Sequence, residues 1–129
     1  NIEQVPTSRE AGGLCIDTLE RKLREGSFTK LPRLVYCVPT HNNPTSGTMK
    51  LEYRKRLIQL AHEFGFVVLA DEVYHLLDWS EQPLPPRFHE LDTQYKAEAG
   101  EGLDPSRGAA VQDDDEDSVY ISGSNGQAV

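Results

Sequence analysis

Three polar stretches of this chain stand directly behind apolar runs, and their residue types suit the holding of a ligand. HNNPTSG (41–47) follows LVYCV, DEVY (71–74) follows FVVLA, and Ser122 to Ser124 end a run that begins SVYIS. Asn42 and Asn43 offer amide donors and acceptors, Asp71 a carboxylate, Tyr74 a phenol, and Ser122 and Ser124 hydroxyls. A plain turn needs only two or three turn-forming residues. At 41–47 the question is therefore whether the asparagines only shape a loop or also face a ligand.

For these groups to meet, the runs before them must be neighbouring strands. RLVYCV (33–38) is rich in β-branched and aromatic residues and reads as a strand. FVVLA (66–70) is apolar on both faces, which suits a strand buried in a parallel sheet, and SVYIS (118–122) reads as a third. Between the first two lies the strongest helix signal. Leu57, Leu60, Ala61 and Phe64 recur at i, i+3, i+4 and i+7, and Gly65 is a good terminator, so a helix is predicted at 50–64. Lys50, Glu52, Arg54, Lys55 and Arg56 fall mostly on its other face. Upstream, Asp17 and Glu20 resemble a capping box for a short helix at 18–25, and residues 1–13 read as loop or edge structure. A helical turn is expected at 72–77 and a proline-containing loop at 78–90. The order strand, helix, strand, strand defines an α/β fold with an open, mostly parallel sheet and βαβ crossovers. Such sheets bind ligands beyond the carboxyl ends of their strands, where Asn42/Asn43, Asp71/Tyr74 and Ser122/Ser124 would converge. This convergence does not name the ligand.

Composition narrows the partners. A chain of 129 residues is about one modest domain. Asn1 at the start and the tail GSNGQAV lead us to expect a piece of something larger. The formal charge of −8 argues against nucleic acid as a partner. Much of that excess lies in Asp113, Asp114, Asp115, Glu116 and Asp117, within a polar stretch (93–117) that reads as a disordered acidic insertion. Cys15 and Cys37 are too few for a zinc site or a disulfide framework and fit reduced thiols in a cytoplasmic compartment. No run of about 20 apolar residues suggests a membrane span.

Two decoys are set aside. FVVLADE has the look of a Walker B strand, but no G-x-x-x-x-G-K-[ST] loop accompanies it. Asp71, Glu72 and His75 share one short turn, from which three metal ligands rarely converge. His41, His62, His75 and His89 read as surface or hydrogen-bonded histidines.

PTHNNPTSG (39–47), an amphipathic helix, an apolar strand and D-E-V-Y together resemble the large domain of fold-type I pyridoxal-phosphate enzymes, and most of all class I/II aminotransferases. GGLCIDTLERKL (12–23) resembles the segment that leads into that motif. The resemblance covers residues 11–79 well, 1–10 less so and 118–124 weakly. It implies an enzyme that moves an amino group between an amino acid and a 2-oxo acid with pyridoxal 5′-phosphate, working as a cytoplasmic homodimer without nucleic acid or membrane. By the resemblance Asp71 faces the cofactor's ring nitrogen, Asn43 and Tyr74 its phenolic oxygen, and Ser124 its phosphate. The Asn43–Pro44 bond is often cis in the family.

The chain departs from the pattern in three ways. Ser46 lengthens the Asn-Pro-Thr-Gly loop by one residue, and the acidic insertion is longer than the usual connection. Gln127 stands where the family has its Schiff-base lysine, and an amide can neither form that bond nor act as a base. No catalytic residue is therefore assigned. The expected organisation is a partial cofactor-binding large domain (1–92), the acidic insertion (93–117), and a large-domain strand truncated before the lysine (118–129). A lyase or decarboxylase of the same fold, a non-catalytic ligand-sensing or dimerising domain of a regulator, and a truncated reading frame are the alternatives.

Overall fold

A computed structural model describes residues 2–100 and 120–124 of the chain. Five strands form one sheet: β1 (Ile2–Ser8), β2 (Gly13–Leu14), β3 (Leu34–Cys37), β4 (Val67–Ala70) and β5 (Tyr120–Ser124), in the order β2-β1-β5-β3-β4. β1, β5, β3 and β4 run parallel, and only β2 is antiparallel to its neighbour. The fold is the expected α/β type with a mostly parallel sheet, and the strand latest in sequence fills the gap between β1 and β3.

Three helices cover one face: α1 (Ile16–Glu25), α2 (Leu51–Phe64) and α3 (Phe88–Glu98). Ile16, Leu19 and Leu23 of α1, Leu57, Ile58 and Leu60 of α2, and Phe88 and Leu91 of α3 join Val5, Val35 and Cys37 in one buried cluster. α2 stops where Gly65, at φ 74°, closes it by donating to Ala61 O, as the sequence predicts. The β3–α2–β4 unit is therefore the predicted one.

Four expectations need correction. β1 is a strand hydrogen-bonded on both sides, although Pro6 within it argues against a central strand. α1 begins at Ile16, with Asp17 in its first turn. Glu20 is drawn from a capping role by Arg24 and Arg56, both of which donate to its carboxylate. β4 is an edge strand with one bare face, since Val67 and Leu69 are about half exposed. Finally, α3 occupies residues taken as loop (88–90) and as disordered insertion (93–98). Phe88, Leu91 and Tyr95, at i, i+3 and i+7, give it a stripe that packs on the core. Residues 101–117 of that insertion, and Gln127, lie outside the described residues.

Candidate functional site

Because β5, β3 and β4 are adjacent and parallel, their carboxyl ends open on one edge of the sheet. The loop 39–49 leaves β3, Asp71 follows β4, and Ser124 is the last residue of β5, in register with Pro6. The three predicted groups thus share an edge.

The loop 39–49 is a closed structure. Met49 N donates to Pro39 O (2.8 Å), Asn42 N to Gly47 O (2.8 Å) and Ser46 N to Asn42 O (2.6 Å). Asn42 is buried, and its side-chain amide donates to Thr45 Oγ1 at 3.2 Å. Asn43 is exposed, and its bond to Pro44 is cis. The two asparagines divide the tasks: Asn42 shapes the loop, and Asn43 projects from it. Ser46, the extra residue, takes a left-handed conformation at φ 55°. The loop also lies against the turn before β2. A Cβ at Gly12 would stand 2.1 Å from Thr48 O, and Gly12 itself has φ 73°, so no other residue fits there.

Arg54 fastens this loop to the body. It is fully buried, and its guanidinium donates through Nε to Met49 O (2.9 Å), through one terminal nitrogen to Pro39 O (3.0 Å) and Thr40 Oγ1 (3.1 Å), and through the other to Pro86 O (3.1 Å). One side chain therefore joins both ends of the loop to the proline-rich stretch before α3. The sequence pattern puts Arg54 on the outer face of α2, whereas its side chain turns inward and is buried. The signal was present, since Arg54 lies three residues before Leu57 on the apolar stripe. Burial lowers the Arg54 pKa, while the nearby Glu72 carboxylate opposes that shift.

Asp71 is anchored at the other strand end. Its N–H donates to Cys37 O (2.9 Å), and its Oδ2 accepts a hydrogen bond from the Tyr36 hydroxyl at 2.9 Å. That bond raises the Tyr36 pKa, with burial second. Tyr36 carries no role in the sequence reading. Its signal is register: Tyr36 pairs with Leu69, and Asp71 lies two residues on, on the same face. Burial pushes the neighbouring Cys37 thiol up to about 12, so it is an inert, protonated core group. Cys15 and Cys37 are both free.

Tyr74 is half-buried and caps the 3-10 turn His75–Leu77, close enough to Tyr36 to act on its phenol. No hydrogen bond joins Asn43, Asp71 and Tyr74 among the described residues. Glu72 Oε2 takes an ion pair from Arg87 (3.1 Å), whereas Glu72 Oε1 and His75 Nδ1 are buried without a partner among the described residues. His41 Nε2 meets Asp78 Oδ1 at 2.8 Å and ties the first loop to the segment after β4. His62 likewise pairs with Asp92 at 2.7 Å. Among the described residues no helix is long and apolar enough to cross a membrane.

Comparison with known proteins adds the class. No family model matches the chain. It is 36% identical over 84 residues to the L-tyrosine:2-oxoglutarate aminotransferase of Tapinella panuoides, which covers 63% of this chain and 16% of that one. It is 38% identical over 84 residues to aromatic-amino-acid aminotransferase 1 of Thermococcus litoralis, covering 64% and 20%. The 2-aminoadipate transaminase of Thermus thermophilus is 39% identical over 84 residues, covering 65% and 20%. A crystal structure of an archaeal alanine:glyoxylate aminotransferase superposes with a TM-score of 0.61 at 28% identity, over 75% of this chain and 23% of that one. The chain is thus aminotransferase-like in sequence and fold, as the fold-type I resemblance implies. It spans about a fifth of the length of the curated relatives it matches.

Proposed function

We propose that this chain contributes part of the pyridoxal-phosphate site of an aminotransferase that moves an amino group between an amino acid and a 2-oxo acid. The observation that carries the reading is Asp71. It is a carboxylate at the carboxyl end of a parallel strand, with one oxygen held by Tyr36 and Oδ1 taking no hydrogen bond from any described residue. A carboxylate oxygen that no described residue engages, at the same sheet edge as an exposed amide, fits a ligand with a protonated ring nitrogen and a neighbouring oxygen.

Bound, the cofactor supplies an electron sink for bond-breaking at the amino acid's α-carbon. Asp71 holds the proton at the ring nitrogen, which keeps that sink strong. Asn43 and Tyr74 would hydrogen-bond the ring oxygen, and Ser124, the last residue of β5, is by resemblance the residue that would meet the phosphate. The lysine such chemistry also needs has no counterpart at Gln127, so the activity belongs to a longer protein. There the chain works as a cytoplasmic homodimer on small amino-acid and 2-oxo-acid substrates.

The test is made in a chain completed with a lysine-bearing segment. Asp71→Ala lowers kcat/KM by at least about a hundredfold, because it removes a charged partner at the reacting ring. Glu72→Ala, beside it but paired with Arg87, loses far less. Equal losses would mean that the ring-nitrogen partner lies elsewhere.

A further inference from the structure

We infer that His41 and Asp78 clasp the two loops of the candidate site together, and that His41 is a positioning residue which sets where Asn43 stands relative to Tyr74. The inference rests on the reading of Asn43 and Tyr74 as cofactor ligands, and adds the pair that fixes one against the other.

The clasp spans 37 residues of sequence, with His41 Nε2 and Asp78 Oδ1 2.8 Å apart. His41 comes two residues before Asn43. Asp78 comes four after Tyr74 and ends the 3-10 turn His75–Leu77. No other hydrogen bond joins loop 39–49 to segment 71–80 among the described residues. Arg54 fastens the first loop to the body, and Cys37, Tyr36 and Arg87 hold the second segment at Asp71 and Glu72. Beyond Tyr74 that segment is thinly held, since Leu76, Leu77 and Trp79 are more than half exposed. The clasp is what ties it to the loop that carries Asn43.

Both partners are committed to this contact. The Asp78 side chain is only 11% exposed, and its other oxygen accepts from Ser80 Oγ at 2.6 Å. Ser80 first, and His41 after it, hold that carboxyl below the usual carboxylate range against the pull of burial. An ionised carboxylate only accepts, so Nε2 brings the proton. His41 also has a left-handed φ of 48°, which a residue with a Cβ keeps only where its surroundings fix it. Its N–H donates to Thr48 Oγ1 at 3.3 Å and its ring reaches Asp78, so backbone and side chain are both held. A residue held at both ends carries the position of the turn after β4 to the loop just before Asn43.

The experiment uses the chain completed with its lysine-bearing segment, free of cofactor, and follows amide hydrogen exchange by mass spectrometry. The amides of Asn42 and Ser46 in one loop, and of His75 and Leu77 in the other, each donate within their own loop and report on it. In His41→Ala, exchange quickens about five- to tenfold in both loops, the loss of one partly exposed charge-assisted hydrogen bond, while α2 keeps its protection. Asp78→Ala does the same, and the double variant is no faster than either single one. His41→Gln, whose amide can still donate to Asp78, restores most of the protection. Loaded with pyridoxal phosphate, His41→Ala loses about tenfold in kcat, and His41→Gln recovers it. Exchange that quickens in one loop alone or in neither, additive effects in the double variant, or no rescue by Gln overturns the clasp. Quickened exchange with kcat unmoved, in an enzyme that Asp71→Ala disables, makes the pair structural only and overturns the positioning role. Should His41→Ala not fold, Asp78→Ala is read against the same criteria. Exchange needs no cofactor, so equal losses in Asp71→Ala and Glu72→Ala would end the reading of Asp71 and still leave the clasp decided.

Discussion

The two faces of the sheet differ sharply. On one, α1, α2 and α3 pack into a single cluster with Val5 and Val35 wholly buried. On the other, Ile2, Val67 and Leu69 are half or more exposed, and beyond β4 so are Val73, Leu76, Leu77 and Trp79. The candidate site lies at the strand ends where these regions meet. Its first loop is fastened to the covered side by Arg54, and its second, after β4, leads into the exposed apolar segment. Stability therefore resides on the covered face, while the uncovered one carries apolar side chains that the described fold does not use.

The largest break in this contrast is Arg54→Ala. It strips both ends of the loop 39–49 of their buried donor: the carbonyls of Met49 and Pro86 lose the guanidinium, and Pro39 O keeps only the Met49 N–H. Urea unfolding should show a loss of about 3–5 kcal/mol. Arg54→Lys recovers only part of it, because an ammonium cannot reproduce the planar fork.

Acid sharpens the same contrast more gently. Glu20 bonds Arg56 first and Arg24 second across α1 and α2, and its pKa falls from 4.5 to about 2. A carboxylate depressed in the folded state adds stability above its unfolded pKa, and that stability is lost as pH drops through the folded value. Thermal melts should therefore weaken between about pH 4.5 and 2, and Glu20→Gln should flatten part of that slope. An unchanged slope would place the acid sensitivity in Glu3, Asp78 or Asp92, whose pKa values are also lowered.

The smallest effect belongs to the bare face. Leu69→Thr, on the uncovered side of β4, should change stability by no more than about 0.5 kcal/mol. A cost above roughly 2 kcal/mol would show Leu69 packed as a core residue is, and the contrast between the faces would dissolve.

The β3–α2–β4 unit was readable because its signals are local: an apolar stripe at 57–64, a terminating Gly65, and β-branched runs on either side. α3 was not, since Phe88, Leu91 and Tyr95 are sparse in a polar stretch and matter only once α2 is there to receive them. FVVLA suggested burial on both sides, but apolar content cannot tell a covered face from a bare one. At the strand ends, the placement of Asn43, Asp71 and Tyr74 after β3 and β4 was legible. Tyr36 and Arg54 were not. Each carries a polar tip on an apolar stripe, and its purpose depends on partners 35 and 15 residues away.

The central claim is that Asp71 meets a protonated ring nitrogen, and titration of pyridoxal phosphate into a chain completed with its lysine-bearing segment tests it most directly. Calorimetry should show binding that weakens by at least about tenfold in Asp71→Ala, the loss of one charge-assisted hydrogen bond. Equal affinity in the two proteins, or no measurable binding to either, would contradict the account.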